Sequence, residues 1–205
     1  MKKLSDLKLM AILRDVDAEN IIDIIDVLLD EEIGAVEISL SNPQKGFACL
    51  ERARAHYSPD ALYLGAGTVL RPVEVDRLAE LSLPFCIMPG FHAALVDYAL
   101  EKGLDVLPGV LTPSDVQQAV IRDIHLLKLF PADAYPLSYI KSLKGPFPLT
   151  EYWAVGGVTR ENIAQFFAAG FKGAAVGSDL VPRGATRADL TQIRNSARFY
   201  SQAIR

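Results

Sequence analysis

Apolar residues fall in short runs that alternate with stretches of helical spacing. Leu9 to Leu13 is a run of strand length, and Ile21, Ile22, Ile25, Leu28 and Leu29 then repeat at the intervals of one helix face. The unit recurs. Ala35–Leu40 precedes a helix over 44–56, Leu62–Gly65 precedes one opening at Pro72, and Phe85–Met88 precedes one after Phe91. Val106-Leu107 leads to a helix opening at Pro113, and His125–Phe130 to one near Leu137–Leu143. Tyr152–Val155 leads to a helix from about Arg160, and Gly173–Val176 to the last, Ala188–Ala203.

Eight strand–helix pairs predict a parallel sheet with helices outside, closed as a (β/α)8 TIM barrel in the α/β class. The 205 residues allow about 26 per unit, lean beside a typical barrel of ~250. With no Pro/Gly/Ser-rich linker, residues 1–205 read as a single domain. The competing fold, an open doubly wound sheet, lacks a GxGxxG after its first strand.

Composition narrows the partners. Half the residues are hydrophobic, 22% are charged and the net charge is −4, with basic residues scattered. That pattern argues against a nucleic-acid partner, whose footprint would be a basic stripe, but leaves room for a small anionic ligand. Cys49 and Cys86 stand far apart, and the first residues lack the apolar core of a signal peptide. No run nears the ~18 apolar residues of a membrane span, so a cytoplasmic protein is expected. His56, His92 and His125 fall on separate units without ligand spacing, so no metal site is expected.

Barrel active sites lie at the carboxyl ends of the strands. Arg14, Glu37, the Gly65-Ala66-Gly67-Thr68 run, Lys128, Gly156-Gly157 and Gly177-Ser178 all fall there. Lys128 sits among Leu126, Leu127, Leu129 and Phe130 just before Pro131, which ends strand pairing. Two readings are open: a lysine that snorkels to water, or an amine kept partly neutral by burial and able to attack a carbonyl. Glu37, in a strand buried on both faces, must point inward or be paired, and an inward Glu37 would meet Lys128 as a proton shuttle. The two glycine-containing pairs suit a phosphate at the strand ends where barrels commonly hold one, although glycine is also ordinary turn chemistry. Arg14 and Thr68 are polar candidates for a substrate carboxylate. Asp97, Asp105 and Asp115 read as solvated charges.

Several segments resemble the KDPG/KHG aldolases in sequence and order: Val36–Leu40, Gly65–Val69, Leu127–Ala132, Ala154–Val158 and Gly177–Leu180. The likeness runs from about Leu9 to Tyr200. It implies a class I aldolase, a homotrimer of barrels, working without metal or organic cofactor on a phosphorylated keto-deoxy sugar acid that yields pyruvate. By this resemblance Lys128 is the Schiff-base lysine, Glu37 the acid/base, Thr68 a carboxylate ligand, and Gly156, Gly157, Gly177 and Ser178 the phosphate site. Within the family, members specific for the gluconate epimer carry a threonine before the Gly-Gly and an arginine after the second strand. Here Val155 and Ser41 hold those places. Ile12-Leu13-Arg14 and Asn42-Pro43-Gln44 resemble the members acting on 2-dehydro-3-deoxy-6-phosphogalactonate, which makes Arg14 the expected cationic ligand. Asp15 departs from that branch, which usually has glycine there, and is expected to neutralise or re-aim Arg14. A phosphate-binding barrel isomerase or epimerase would not need Lys128 as nucleophile, and a silent metabolite binder would need neither Lys128 nor Glu37.

Overall fold

A computed structural model describes residues 3–204. Its apolar runs form parallel strands β1 (Leu9–Leu13), β2 (Ala35–Ser39), β3 (Tyr63–Gly67), β4 (Phe85–Ile87), β5 (Asp105–Leu107), β6 (Gly109–Val110), β7 (Leu126–Leu129), β8 (Glu151–Val155) and β9 (Gly173–Val176). Between and after them run α1 (Ile21–Asp30), α2 (Pro43–His56), α3 (Pro72–Glu80), α4 (Ala93–Glu101), α5 (Pro113–Val120), α6 (Tyr139–Lys144), α7 (Ile163–Ala169) and α8 (Leu190–Ala203). No described helix is long and apolar enough to cross a membrane.

The sheet has nine strands where the apolar pattern predicts eight. Pro108 is the reason: it has no N–H to give a ladder, so it splits the fifth stave into β5 and β6. β5 pairs with β4 and β6 pairs with β7, so the two halves of one stave face opposite neighbours and close the sheet into a barrel. Its carbonyl still serves the seam, accepting the Lys128 N–H at 3.0 Å.

Local chemistry places the helix starts. Pro43, Pro72 and Pro113 each occupy a first-turn position, where a missing N–H costs nothing. Asn42 caps α2, and Thr112 with Asp115 closes a capping box on α5. α7 starts at Ile163 rather than near Arg160 because Asn162 holds a turn, accepting from the Thr159 N–H and donating to the Gly157 carbonyl. A capped 3-10 turn, Arg187–Asp189, likewise precedes α8.

Strand residues of one parity point outward beneath the helices, and the other parity fills the barrel with Met10, Ile12, Tyr63, Phe85, Ile87, Leu107, Trp153 and Val155. Space for the largest is made by absent side chains. A Cβ at Gly173 would lie 2.6 Å from the Trp153 ring. Truncating a fully buried ring such as Trp153 costs about 3–5 kcal/mol, so this packing holds the barrel beneath its mouth.

Candidate active site

Lys128 and Glu37 face each other across the barrel. Both belong to the inward parity, on staves four steps apart in either direction. Following strand registers from Glu37 through β1, β9 and β8 arrives level with Ala132, while going through β3, β4 and the β5–β6 stave arrives level with Ile124. The difference is the shear of about eight residues expected of a TIM barrel, and Lys128 lies midway. Glu37 and Lys128 are therefore at one height, just below the open end.

Their environment keeps both away from their usual charge states. Glu37 is 2% exposed and its Oε2 has no hydrogen-bond partner. Burial raises its pKa, partly opposed by the positive charges of Lys128 and Arg14. Lys128 is 5% exposed; burial lowers its pKa, Glu37 opposes this, and Arg14 pushes it further down. The Lys128 ammonium lies 4.6 Å from the centre of the Phe130 ring. No ion pair joins it to Glu37 among the described residues, although the two charges interact. Of the two readings of Lys128, snorkelling to water does not fit this burial.

The other expected residues lie at or just past the carboxyl ends of their strands. Arg14 follows β1, half-buried, with its Nη1 3.5 Å from where a Cβ on Gly177 would be. Its guanidinium makes no hydrogen bond or ion pair among the described residues. Thr68 follows β3 in a left-handed conformation (φ 59°), and its hydroxyl lies 3.2 Å from that of Ser39. Val155 is fully buried at the end of β8, followed by Gly156 and Gly157 at φ 88° and 69°. A β-substituted residue would be strained in that bend. Gly177 and the exposed Ser178 begin the loop after β9.

These last two loops are tied together from behind. Arg160 Nε lies 3.7 Å from Asp179 Oδ2, the buried Tyr200 hydroxyl donates to the same carboxylate, and Arg160 also donates to Ser196. Ser39, Asp179 and Tyr200 were not singled out in the sequence. Alternation along β2 could have found Ser39, two residues from Glu37 and so on the same face, whereas nothing local marks Asp179 or Tyr200. The solvated aspartates are partly corrected: Asp115 caps α5, Asp97 pairs with Arg122, and Asp105 lies in β5 beside the Tyr63 hydroxyl.

Asp15 also departs from expectation. It adopts φ 56°, the left-handed region in which glycine is unstrained and aspartate is one of the tolerated substitutes. Its carboxylate pairs with Arg183.

The model of the family described as KDPG and KHG aldolase matches residues 1–196. The chain belongs to this aldolase family. As a family member it is a lyase. It is 37% identical over 179 residues to the 2-dehydro-3-deoxy-6-phosphogalactonate aldolase of Escherichia coli strain K12, covering 87% of this chain and 86% of that one. It is 29% identical to the 2-dehydro-3-deoxy-phosphogluconate aldolase of Pseudomonas aeruginosa, covering 87% and 81%. Among solved structures, one described as native KDPGal superposes with a TM-score of 0.89 at 33% identity, covering 100% of this chain and 97% of that one. The aldolase fold thus carries a buried lysine and a buried glutamate at the height where strand ends meet solvent.

Proposed function

We propose that the chain cleaves 2-dehydro-3-deoxy-6-phosphogalactonate to pyruvate and glyceraldehyde 3-phosphate through a Schiff base on Lys128. The observation that carries this is the opposition of Lys128 and Glu37 at one height. A lowered lysine pKa supplies neutral amine, which adds to the C2 ketone and expels water to give a protonated imine. Glu37 takes the C4 hydroxyl proton as the C3–C4 bond breaks, and the electron pair moves into the imine to leave an enamine. Glu37 then returns a proton to C3, and water releases pyruvate. A carboxyl with a raised pKa suits both halves of that exchange.

Arg14 and Thr68 bind the anionic and hydroxyl groups near the reacting carbons, and Gly156, Gly157, Gly177 and Ser178 bind the phosphate. Gly156 and Gly157, two consecutive positive-φ glycines whose bare backbone lets an anion approach closely, support the phosphate assignment. No step requires a metal or organic cofactor. Val155 supports the galacto substrate, since an apolar side chain offers the C4 hydroxyl no hydrogen bond where the gluconate-specific pattern places a threonine. The 2-dehydro-3-deoxy-6-phosphogluconate epimer is the second reading, favoured by the phosphogluconate relative. Comparing kcat/KM for the two epimers decides between them: a preference for the gluco compound overturns the substrate assignment.

The proposal extends to a single domain of residues 1–205 acting as a homotrimer in the cytoplasm. Exposed Leu70 and Val73 beside the mouth are suited to subunit contact, and two buried free cysteines suit a reducing compartment. Sedimentation at micromolar concentration tests the trimer, and a monomer would overturn it.

A further inference from the structure

Arg14 and Asp15 are adjacent in sequence, so a carboxylate without another partner there would compete for the guanidinium. Instead Asp15 Oδ2 lies 2.5 Å from Arg183 Nε, in the loop after β9. The same loop holds the main chain of β1's end, since the Gly184 N–H donates to the Arg14 carbonyl at 2.8 Å. A second cation reinforces the arrangement: Lys45, paired with Asp17 at 2.7 Å, also interacts with the Asp15 charge. Asp15 is thus paired with Arg183 and also feels the Lys45 charge, while Arg14 lies against Gly177, interacts through charge with Glu37 and Lys128, and makes no hydrogen bond or ion pair among the described residues.

We infer that Arg183 is a positioning residue for substrate specificity: by engaging Asp15 it keeps the Arg14 guanidinium available to an anionic group of the substrate. This rests on the proposed reading of Arg14 as a substrate ligand. Arg183 itself touches no reacting atom. Its side chain is 67% exposed and that of Asp15 is 25% exposed. An ion pair this open adds little to folding, so its removal leaves the protein intact. What removal changes is the choice open to Asp15, which with its partner gone can turn to Arg14. Glycine at position 15 would keep the left-handed backbone without the carboxylate.

The test is a set of four variants assayed with the phosphorylated sugar acid: Arg14→Ala, Arg183→Ala, Asp15→Gly and the double Asp15→Gly/Arg183→Ala. The expected result is that Arg183→Ala raises KM about three- to tenfold with kcat within about twofold, the range of one charge-assisted contact. The double variant should return KM to the Asp15→Gly value, because the competing carboxylate is gone. A merely structural clamp would leave the double variant as impaired as Arg183→Ala, and that result overturns the inference. Arg14→Ala separates the two levels of the argument. If it raises KM while Arg183→Ala does not, only the positioning role falls; if Arg14→Ala leaves KM unchanged, the ligand reading falls and takes the positioning role with it.

Discussion

Gly67 and Glu37 share one space inside the barrel: a Cβ on Gly67 would lie 1.5 Å from Glu37 Oε1 and 2.2 Å from its carboxyl carbon. The bare backbone of β3 is therefore what lets the β2 carboxylate lie at the height of Lys128. Gly67→Ala should push the carboxylate aside while the flexible side chain absorbs the clash. The expected outcome is a fall in kcat of about 10²-fold, in the range of losing a general acid–base group, with an unchanged far-ultraviolet dichroism spectrum. Full activity in a folded Gly67→Ala variant would show that the Glu37 position does not matter.

Glu37→Gln should fold and bind but lose about 10²–10⁴-fold in kcat, because the amide keeps the shape and cannot carry the proton. Stopped-flow turnover at saturating substrate measures this. An unchanged rate would leave Glu37 a purely structural residue.

Burial of Lys128 also has a stability consequence. Its folded pKa lies below the unfolded value of 10.5, so between the two the unfolded chain binds more protons and the contribution of Lys128 to stability rises with pH. Glu37 has the opposite sign: its folded pKa is above 4.5, so its contribution falls as pH rises from that value. Lys128→Met should therefore raise Tm by a few degrees at pH 7, where about 1 kcal/mol corresponds to roughly 2–4 °C, and the advantage should shrink toward pH 10. Calorimetry of both proteins checks it, and an advantage that grows with pH would contradict the direction assigned to Lys128.

Much of the site was legible because it sits where two regularities cross. Short apolar runs marked the strands and helical spacing the helices, and the barrel rule points to the carboxyl ends of the strands, where Lys128, Glu37 and the glycine pairs lie. What escaped was non-local. Pro108 reads as a strand terminator, yet only the closed ladder shows it splitting one stave between two neighbours. Arg183 lies 168 residues from Asp15, so the neighbour expected to compromise Arg14 could not be seen to have a partner of its own. Ser39 shares the face of Glu37, but its partner Thr68 comes from the end of another strand, 29 residues away.

The phosphate assignment makes a separate demand on Ser178. Ser178→Asp would set a negative charge next to Gly177 in the loop after β9, and about 1.4 kcal/mol of repulsion is enough for a tenfold rise in KM. That rise is expected for the phosphorylated sugar acid and not for proton exchange into pyruvate, which has no phosphate. Equal effects on both reactions would remove the phosphate from this loop.

Cleavage by this route requires Lys128 to form the imine. The wild-type protein and Lys128→Ala are each incubated with saturating pyruvate, reduced with borohydride and weighed by intact-mass spectrometry, with peptide mapping of any adduct. The expected result is that wild type gains one pyruvic acid, less water and plus two hydrogens, on the peptide carrying Lys128, and that Lys128→Ala gains nothing and does not cleave substrate. An unmodified wild-type protein, or an adduct that persists in Lys128→Ala, would contradict it.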